Sequence, residues 1–483
     1  MIRVTAISRR YPRRKGAVTS MKYLPRILFG APSSGEGKTT VTCAVLRALV
    51  GRKMNPVAFK CGPDYIDPMF HSRVIGARSR NLDLFMMGAG TVRNALWENG
   101  KTGSISIIEG AMGFYDGIAV SSDASSWDLA VQTRTPVVLV LDGHGRALST
   151  AAEVKGFLQF REPSRIEGVI LNRVSPVMYS KIAEVIEKET GVKLFGFLPE
   201  SEEFKLESRH LGLVTADEVE NLRGKLDAMA ARAEKTIDLN GLIELANSAP
   251  PFHVAKESLP GYVEERPRIA VARDRAFCFY YEDALALLER LGAELVEFSP
   301  MLDMALPEGC TGMYLGGGYP ELYGKELSEN DDMCECVRKA VEAGMPTIAE
   351  CGGFLYLCSV LEDGDGEKCT MAGVLCGEAY RTNKLTRFGY VTLTAKKDGL
   401  LFKKGDTISG HEFHYWDCDM PGDDFRARKP QSRRSWNCGY STESMYAGFP
   451  HIHLLSSPES ALRFVLAASE WNPNRKGETP CRD

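Results

Sequence analysis

No stretch of apolar residues long enough to cross a bilayer occurs in the 483 residues, so no membrane partner is expected. Charge of one sign is not in excess either. There are 59 basic and 63 acidic residues, a net charge of −4, which gives no electrostatic reason to expect nucleic acid or an anionic surface as partner. Paired cysteine motifs are absent. The chain holds 13 cysteines, an odd number, without a C-x-x-C pair and without histidine-bearing zinc spacing. Reduced thiols in a cytoplasmic protein are the expectation. Cys334 and Cys336 sit close together, but a metal site needs more ligands than that. The first twenty residues contain Arg9-Arg10 and Arg13-Arg14 but no apolar segment behind them, which excludes a secretory signal. Met21 is a candidate start of the folded protein.

What is present begins with residues 30–40, Gly-Ala-Pro-Ser-Ser-Gly-Glu-Gly-Lys-Thr-Thr. A short apolar run precedes it, and residues 41–49 carry apolar positions at helical spacing, so the order is strand, glycine loop, helix. Backbone N–H groups in such a loop converge on a phosphate at the positive end of the helix. Gly35 and Gly37 allow the close approach, Lys38 would reach the outer phosphates, Thr39 would place its hydroxyl on Mg²⁺, and Thr40 completes the motif. The match to G-x-x-x-x-G-K-[ST] is incomplete, because Pro32 stands where the first glycine is expected. The loop resembles the compact form of the dethiobiotin-synthetase and partition-ATPase group, and Ser33 replaces the second lysine that partition ATPases carry.

Downstream, an apolar strand through Lys60 runs into Cys-Gly-Pro-Asp-Tyr-Ile-Asp-Pro, an acidic turn in which Asp64 and Asp67 lie between two prolines. A magnesium site beside a P-loop needs one or two carboxylates besides Thr39. Asp64 or Asp67 is one supplier, and Glu109, ending the strand 105–109 before a glycine-rich loop, is another. Further apolar runs end at Asp142 and Asn172. These read as parallel strands covered on both faces. Asn172 is a candidate for a purine edge, with a turn-forming role equally open.

Length alone implies two or three domains. Residues 1–20 read as an N-terminal extension, 21–245 as a P-loop domain, 246–266 as a Pro-, Lys- and Glu-rich linker, 267–470 as a second α/β domain and 471–483 as a tail. In the second domain an apolar strand ends in a sharp turn bearing Cys351, with Gly352 and Gly353 behind it and a helical pattern from Phe354. That is a nucleophile elbow with sulfur in place of oxygen. A free thiol, with a pKa of roughly 8.5, is only a few per cent ionised at neutral pH, so a histidine base is wanted. Candidates are His411 and His414 in one segment and His451 and His453 in another.

The segments around Lys60 to Pro68, Asn81 to Asp83, Glu109 to Gly117 and Arg209 to Leu213 closely resemble the cobyrinate a,c-diamide synthase family, nearly throughout the chain from Met21. The resemblance implies two three-layer α/β domains with mostly parallel sheets: a P-loop NTPase-like amide-forming domain of dethiobiotin-synthetase type, then a flavodoxin-like class-I glutamine amidotransferase domain. By the same resemblance Thr39, Glu109 and Asp64 or Asp67 hold Mg²⁺ and Lys60 helps bind the transferring phosphoryl group. The base aligns best with His451, with His453 as the alternative. His411, Glu412 and His414 are structural or substrate-side. The loop at Gly317 resembles the family's oxyanion loop, pairing with Gly352. Other class-I amidotransferases carry a glutamate two residues after the histidine, and here that position is His453, so a Cys-His dyad is expected. The implied activity is that of a carbon–nitrogen ligase using ATP, Mg²⁺ and glutamine to amidate the a and c acetates of a corrin ring. Small-molecule partners follow, Arg209 and His210 are suggested for the polyanionic substrate, and an oligomer is left open. The rival readings are the same reaction on nickel-sirohydrochlorin and a partition-type ATPase.

Overall fold

The computed structural model describes residues 19–201, 204, 216–256 and 258–472, apart from the side chains of 216–221. Arg209, His210 and the motif around them lie outside the described residues. The chain divides at 257/258 into two compact units. No helix among the described residues is long and apolar enough to cross a membrane.

In the first unit the continuous apolar runs form a seven-stranded sheet in the order 79–82, 56–61, 105–109, 26–30, 137–142, 166–172 and 193–198. Every neighbouring pair is parallel. Ile27, Leu28, Phe29 and the whole run 137–141 are buried, as strands covered on both faces must be. The helix Lys38–Gly51 turns Val41, Ala44, Val45, Ala48 and Leu49 inward. Leu226 and Met229, from the charged helix Ala216–Thr236, fill the same core.

The segment predicted as a linker is partly structured. Phe252–Ala255 is a strand paired antiparallel with Thr19–Lys22, so Thr19 and Ser20, assigned by sequence to the N-terminal extension, also belong to this unit. The reason lies in Arg26, which begins the strand 26–30 and is fully buried. Its guanidinium donates to the carbonyls of Leu24, Thr133, Arg134 and Pro250, and it stacks at 4.6 Å on Phe252. A buried cation needs that full set of acceptors. The prolines around 250 supply one of them, and the alternation of Phe252 and Val254 supplies an apolar face that the polar composition of the segment conceals.

In the second unit five parallel strands, 268–272, 294–298, 310–315, 347–350 and 445–448, take the order 2-1-3-4-5 when numbered along the chain, which is the flavodoxin-like arrangement. Tyr440–Ser441 adds an antiparallel edge. A separate antiparallel sheet places 435–438, 425–428, 387–395, 407–414 and 451–452 side by side. The short strand His451–Ile452 pairs with Gly410 and His411, and so joins that sheet next to the strand 445–448 from which it continues.

Candidate active sites

The glycine loop has the conformation its sequence requires. Gly35 and Gly37 have φ of +88° and +96°, a region costly for any residue with a Cβ. At Gly37 a Cβ would also stand 1.9 Å from Nδ2 of Asn172. Asn172 is buried and donates that nitrogen to the carbonyl of Glu36 at 3.0 Å, so its amide is turned onto the loop. Sequence reasoning offered a purine edge or a turn for this residue; here it braces the loop against its strand. Glu36, which the sequence did not mark, anchors the other side: Oε2 accepts from the backbone N–H of Asp142 at 2.6 Å and Oε1 from Ser33 at 3.1 Å. Gly37→Ala is therefore expected to lose ATP binding by about two orders of magnitude, since strain and clash fall on the loop itself. Equilibrium titration with a fluorescent ATP analogue measures it.

Lys38 folds over the loop and donates to the carbonyl of Ser33 at 2.9 Å and to that of Met112. Burial, and next the nearby charge of Lys60, push its pKa down to about 8. Behind it lies a cluster of charged residues. Parallel register sets Lys60 opposite Glu109 on the neighbouring strand. The Lys60 ammonium meets Glu109 at 2.9 Å, is in close contact with Asp67, and lies 3.9 Å from Asp64. Thr39 donates its hydroxyl to Glu109 Oε1 at 2.6 Å, and His71 Nε2 is 3.2 Å from Oε2. Burial opposes ionisation of Glu109, but Lys60, His71 and Thr39 outweigh it and hold the carboxyl below the usual range. Asn81 fixes the acidic turn by donating to the carbonyls of Gly62 and Asp64. The turn thus delivers Asp67, and one helical turn later the unforeseen His71, to the end of the strand bearing Glu109.

Among the described residues no three His, Cys, Asp or Glu side chains converge to hold a metal by themselves. The Thr39 hydroxyl and the Glu109 carboxylate are nonetheless hard oxygen donors within reach of one small cation, which fits Mg²⁺, an ion that takes one or two carboxylates and completes its shell with phosphate and water. Beyond the loop, a groove of ≈ 640 Å³ is lined by residues that include Arg146, Arg173, Pro176 and Pro199, at the carboxyl ends of the strands. Arg173 links it to the loop by donating to the carbonyl of Gly35 at 2.8 Å.

In the second unit Cys351 adopts φ 48° and ψ −101°, a strained backbone of the kind that turns a nucleophile outward between strand and helix. Its N–H donates to Gly448 at 2.8 Å, and the helix 352–357 follows at once. His451 is hydrogen-bonded to Cys351, and Gly317 must be glycine because a Cβ there would lie 2.5 Å from Cε1 of His451. A Cβ at Gly352 would be 3.0 Å from the backbone N of Gly318, so the two glycine loops pack edge to edge beside the thiol. Burial alone would lower the His451 pKa; the charge and hydrogen bond of Cys351, with the charge of Glu350, outweigh it and push the imidazole up to about 10. Between the two histidines the sequence left open, His451 is the one at the thiol. His453 stacks on Tyr281 at 4.6 Å, accepts from the N–H of Leu455 at 3.3 Å, and burial pushes it down to about 3. His414 stacks on Phe449, and His411 lies across from His451 in register.

A phosphate cradle with a buried Lys-Glu pair in one unit, and a Cys-His elbow on a flavodoxin-like sheet in the other, define a nucleotide-binding protein fused to a glutamine amidotransferase. Two family models coincide with these units: the CobQ/CobB/MinD/ParA nucleotide binding domain over residues 27–214 and the CobB/CobQ-like glutamine amidotransferase domain over 268–458. The chain belongs to the cobyrinate a,c-diamide synthase family. It is 42% identical to the cobyrinate a,c-diamide synthase of Caldanaerobacter subterraneus subsp. tengcongensis, covering 91% of this chain and 97% of that one. The enzymes of that name from Fusobacterium nucleatum and Clostridium tetani are 40% and 36% identical, over 88% and 90% of this chain and 96% and 98% of theirs.

Proposed function

We propose that this chain is a cytoplasmic ligase that amidates the a and c acetate carboxylates of cobyrinate with ATP and glutamine, a step of cobalamin synthesis. The observation that carries the reading is the presence, in one chain, of a phosphate cradle and a thiol hydrogen-bonded to a buried imidazole. The macrocycle is assigned from the relatives, which match along almost their whole length.

A carboxylate is not attacked by ammonia, because its charge and resonance remove its electrophilicity. In the first unit a substrate carboxylate oxygen attacks the γ-phosphorus of ATP, the bond to ADP breaks, and an acyl phosphate results. The loop N–H groups and Lys38 hold the phosphates, and Thr40 closes the motif. Thr39, Glu109 and one of Asp64 or Asp67 would hold Mg²⁺, which supplies charge neutralisation at the phosphates. Lys60, now shared among three carboxylates, is placed to follow the transferring group. In the second unit the Cys351 sulfur attacks the glutamine carboxamide, with the Gly317 and Gly352 N–H groups facing the developing oxyanion. His451 passes a proton to the departing ammonia and then draws one from the water that hydrolyses the thioester to glutamate. Ammonia displaces phosphate from the acyl phosphate, giving the amide. A partition-type ATPase has no use for the second unit, and no observation favours nickel-sirohydrochlorin.

Purified protein incubated with cobyrinate, ATP, Mg²⁺ and amide-¹⁵N glutamine should yield a corrinoid carrying ¹⁵N in two new amides by mass spectrometry. Labelling of nickel-sirohydrochlorin and not of cobyrinate would move the assignment to the other macrocycle.

A further inference from the structure

One buried acid of the second unit has no task in that mechanism. Glu350, immediately before the nucleophile, is 1% exposed and its Oε2 lies 3.8 Å from Nδ1 of His451. The class-I pattern places its carboxylate two residues after the histidine, where this chain has His453, turned to Leu455 and stacked on Tyr281. We propose that Glu350 is the positioning carboxylate of the glutaminase site, holding His451 in the orientation and charge state that make Cys351 reactive. The proposal rests on the assignment of Cys351 and His451 made above.

The placement follows from strand register. Glu350 is paired with Gly448 across two parallel strands, and the chain then turns through Pro450 so that His451 comes back beside it. Because 350 ends the strand and 351 forms the turn, consecutive residues put a carboxylate near Nδ1 of the imidazole and supply the thiol to which that imidazole is hydrogen-bonded. Glu350 is held from both ends: Oε1 accepts from the N–H of Ile452 at 3.1 Å and Oε2 from the hydroxyl of Tyr314 at 3.1 Å. It cannot swing away from the ring. At 3.8 Å the contact with Nδ1 is an ion-pair distance rather than a direct hydrogen bond, so Glu350 acts through its charge in a site from which water is excluded, where such a charge counts for more than in solution.

The other titratable groups facing His451 do not compete for this role. Cys351 is its proton partner. His411 and His414 are held neutral, pushed down by burial to about 3 and about 4, and Glu412 is pushed up by burial to about 7. Tyr314 and Tyr446, which face Glu350, are buried phenols raised well above their usual range, first by burial and next by the charge of Glu350. Glu350 is therefore the carboxylate placed to balance an imidazolium at 451.

The competing explanation is a structural acid that only ties Ile452 to Tyr314. Glu350→Gln separates the two, since the amide oxygen still accepts from Ile452 and the NH₂ donates to Tyr314 while the charge is removed. The expected result is a fall in glutaminase kcat of about a hundredfold with KM for glutamine unchanged, and a parallel fall in the rate of Cys351 alkylation by iodoacetamide at pH 7. Wild-type kcat and alkylation in a folded Glu350→Gln protein would overturn the proposal. A second measurement keeps Glu350 in place and removes the thiol. In Cys351→Ala protein with ¹⁵N-labelled histidine, the His451 resonance, identified by its loss in Cys351→Ala/His451→Gln, should titrate above the ordinary histidine value of 6.5. Titration below it, as burial alone dictates, would also overturn the proposal. Should Cys351→Ala retain glutaminase activity, the nucleophile assignment itself fails, a result separate from either of these.

Discussion

Cys351→Ala protein consumes no glutamine, yet still makes the amide when ammonium chloride replaces glutamine. The expected loss with glutamine is at least about 10⁴-fold in kcat, because without the Cys351 sulfur the thioester cannot form. The ammonia-driven rate should stay within about twofold of wild type and rise with pH as the free amine fraction grows. Structurally the substitution is mild: the side chain is small, and alanine meets the strain at φ 48° no worse than cysteine does. Product mass spectra with each nitrogen source, alongside a glutamate-release assay, decide the matter. Equal loss of both activities in a folded protein would contradict the division of labour between the two units.

Glu109→Gln has the converse effect. Amide synthesis should fall by roughly 10³-fold with either nitrogen source, while glutamine hydrolysis in the other unit continues. The substitution keeps the shape and removes the charge that Lys60, His71 and Thr39 converge on. It leaves Lys60 buried with less compensation, which costs about 3 kcal/mol of stability. A pH signature follows. The Glu109 carboxyl is held below its ordinary value of 4.5, so its contribution to stability is fully present above pH 4.5 and is lost as the pH falls toward its folded-state value. Urea unfolding between pH 3 and 7 should show a shallower acid limb in Glu109→Gln than in wild type. Undiminished amide synthesis would refute the metal-binding and phosphoryl-transfer role of Glu109.

Much of the architecture is readable from local chemistry. The glycine loop, the buried parallel strands and the cysteine turn each depend on contiguous residues whose backbone demands show in their own composition. Residues 137–141 are an example: an apolar run covered on both faces has no polar side to display. The segment near 250 was harder, because two apolar residues among prolines, lysines and glutamates carry too little pattern to reveal a strand. Asn172 was placed at the right strand end, but its role depends on Gly37, 135 residues earlier, against which no local spacing could test it.

By itself the sequence determined the types of chemistry present and the elements that bear them: a lysine and a threonine behind glycines, carboxylates at strand ends, a thiol between strand and helix. Only the tertiary structure decided which distant groups share a site. Register across parallel strands sets Lys60 against Glu109, and the turn through Pro450 brings His451 rather than His453 to Cys351, with Glu350 beside it. The physical reason is that covalent neighbours constrain the backbone, whereas the charge state of a buried imidazole or carboxylate is set by groups within a few ångströms in space, which packing brings there from anywhere in the chain.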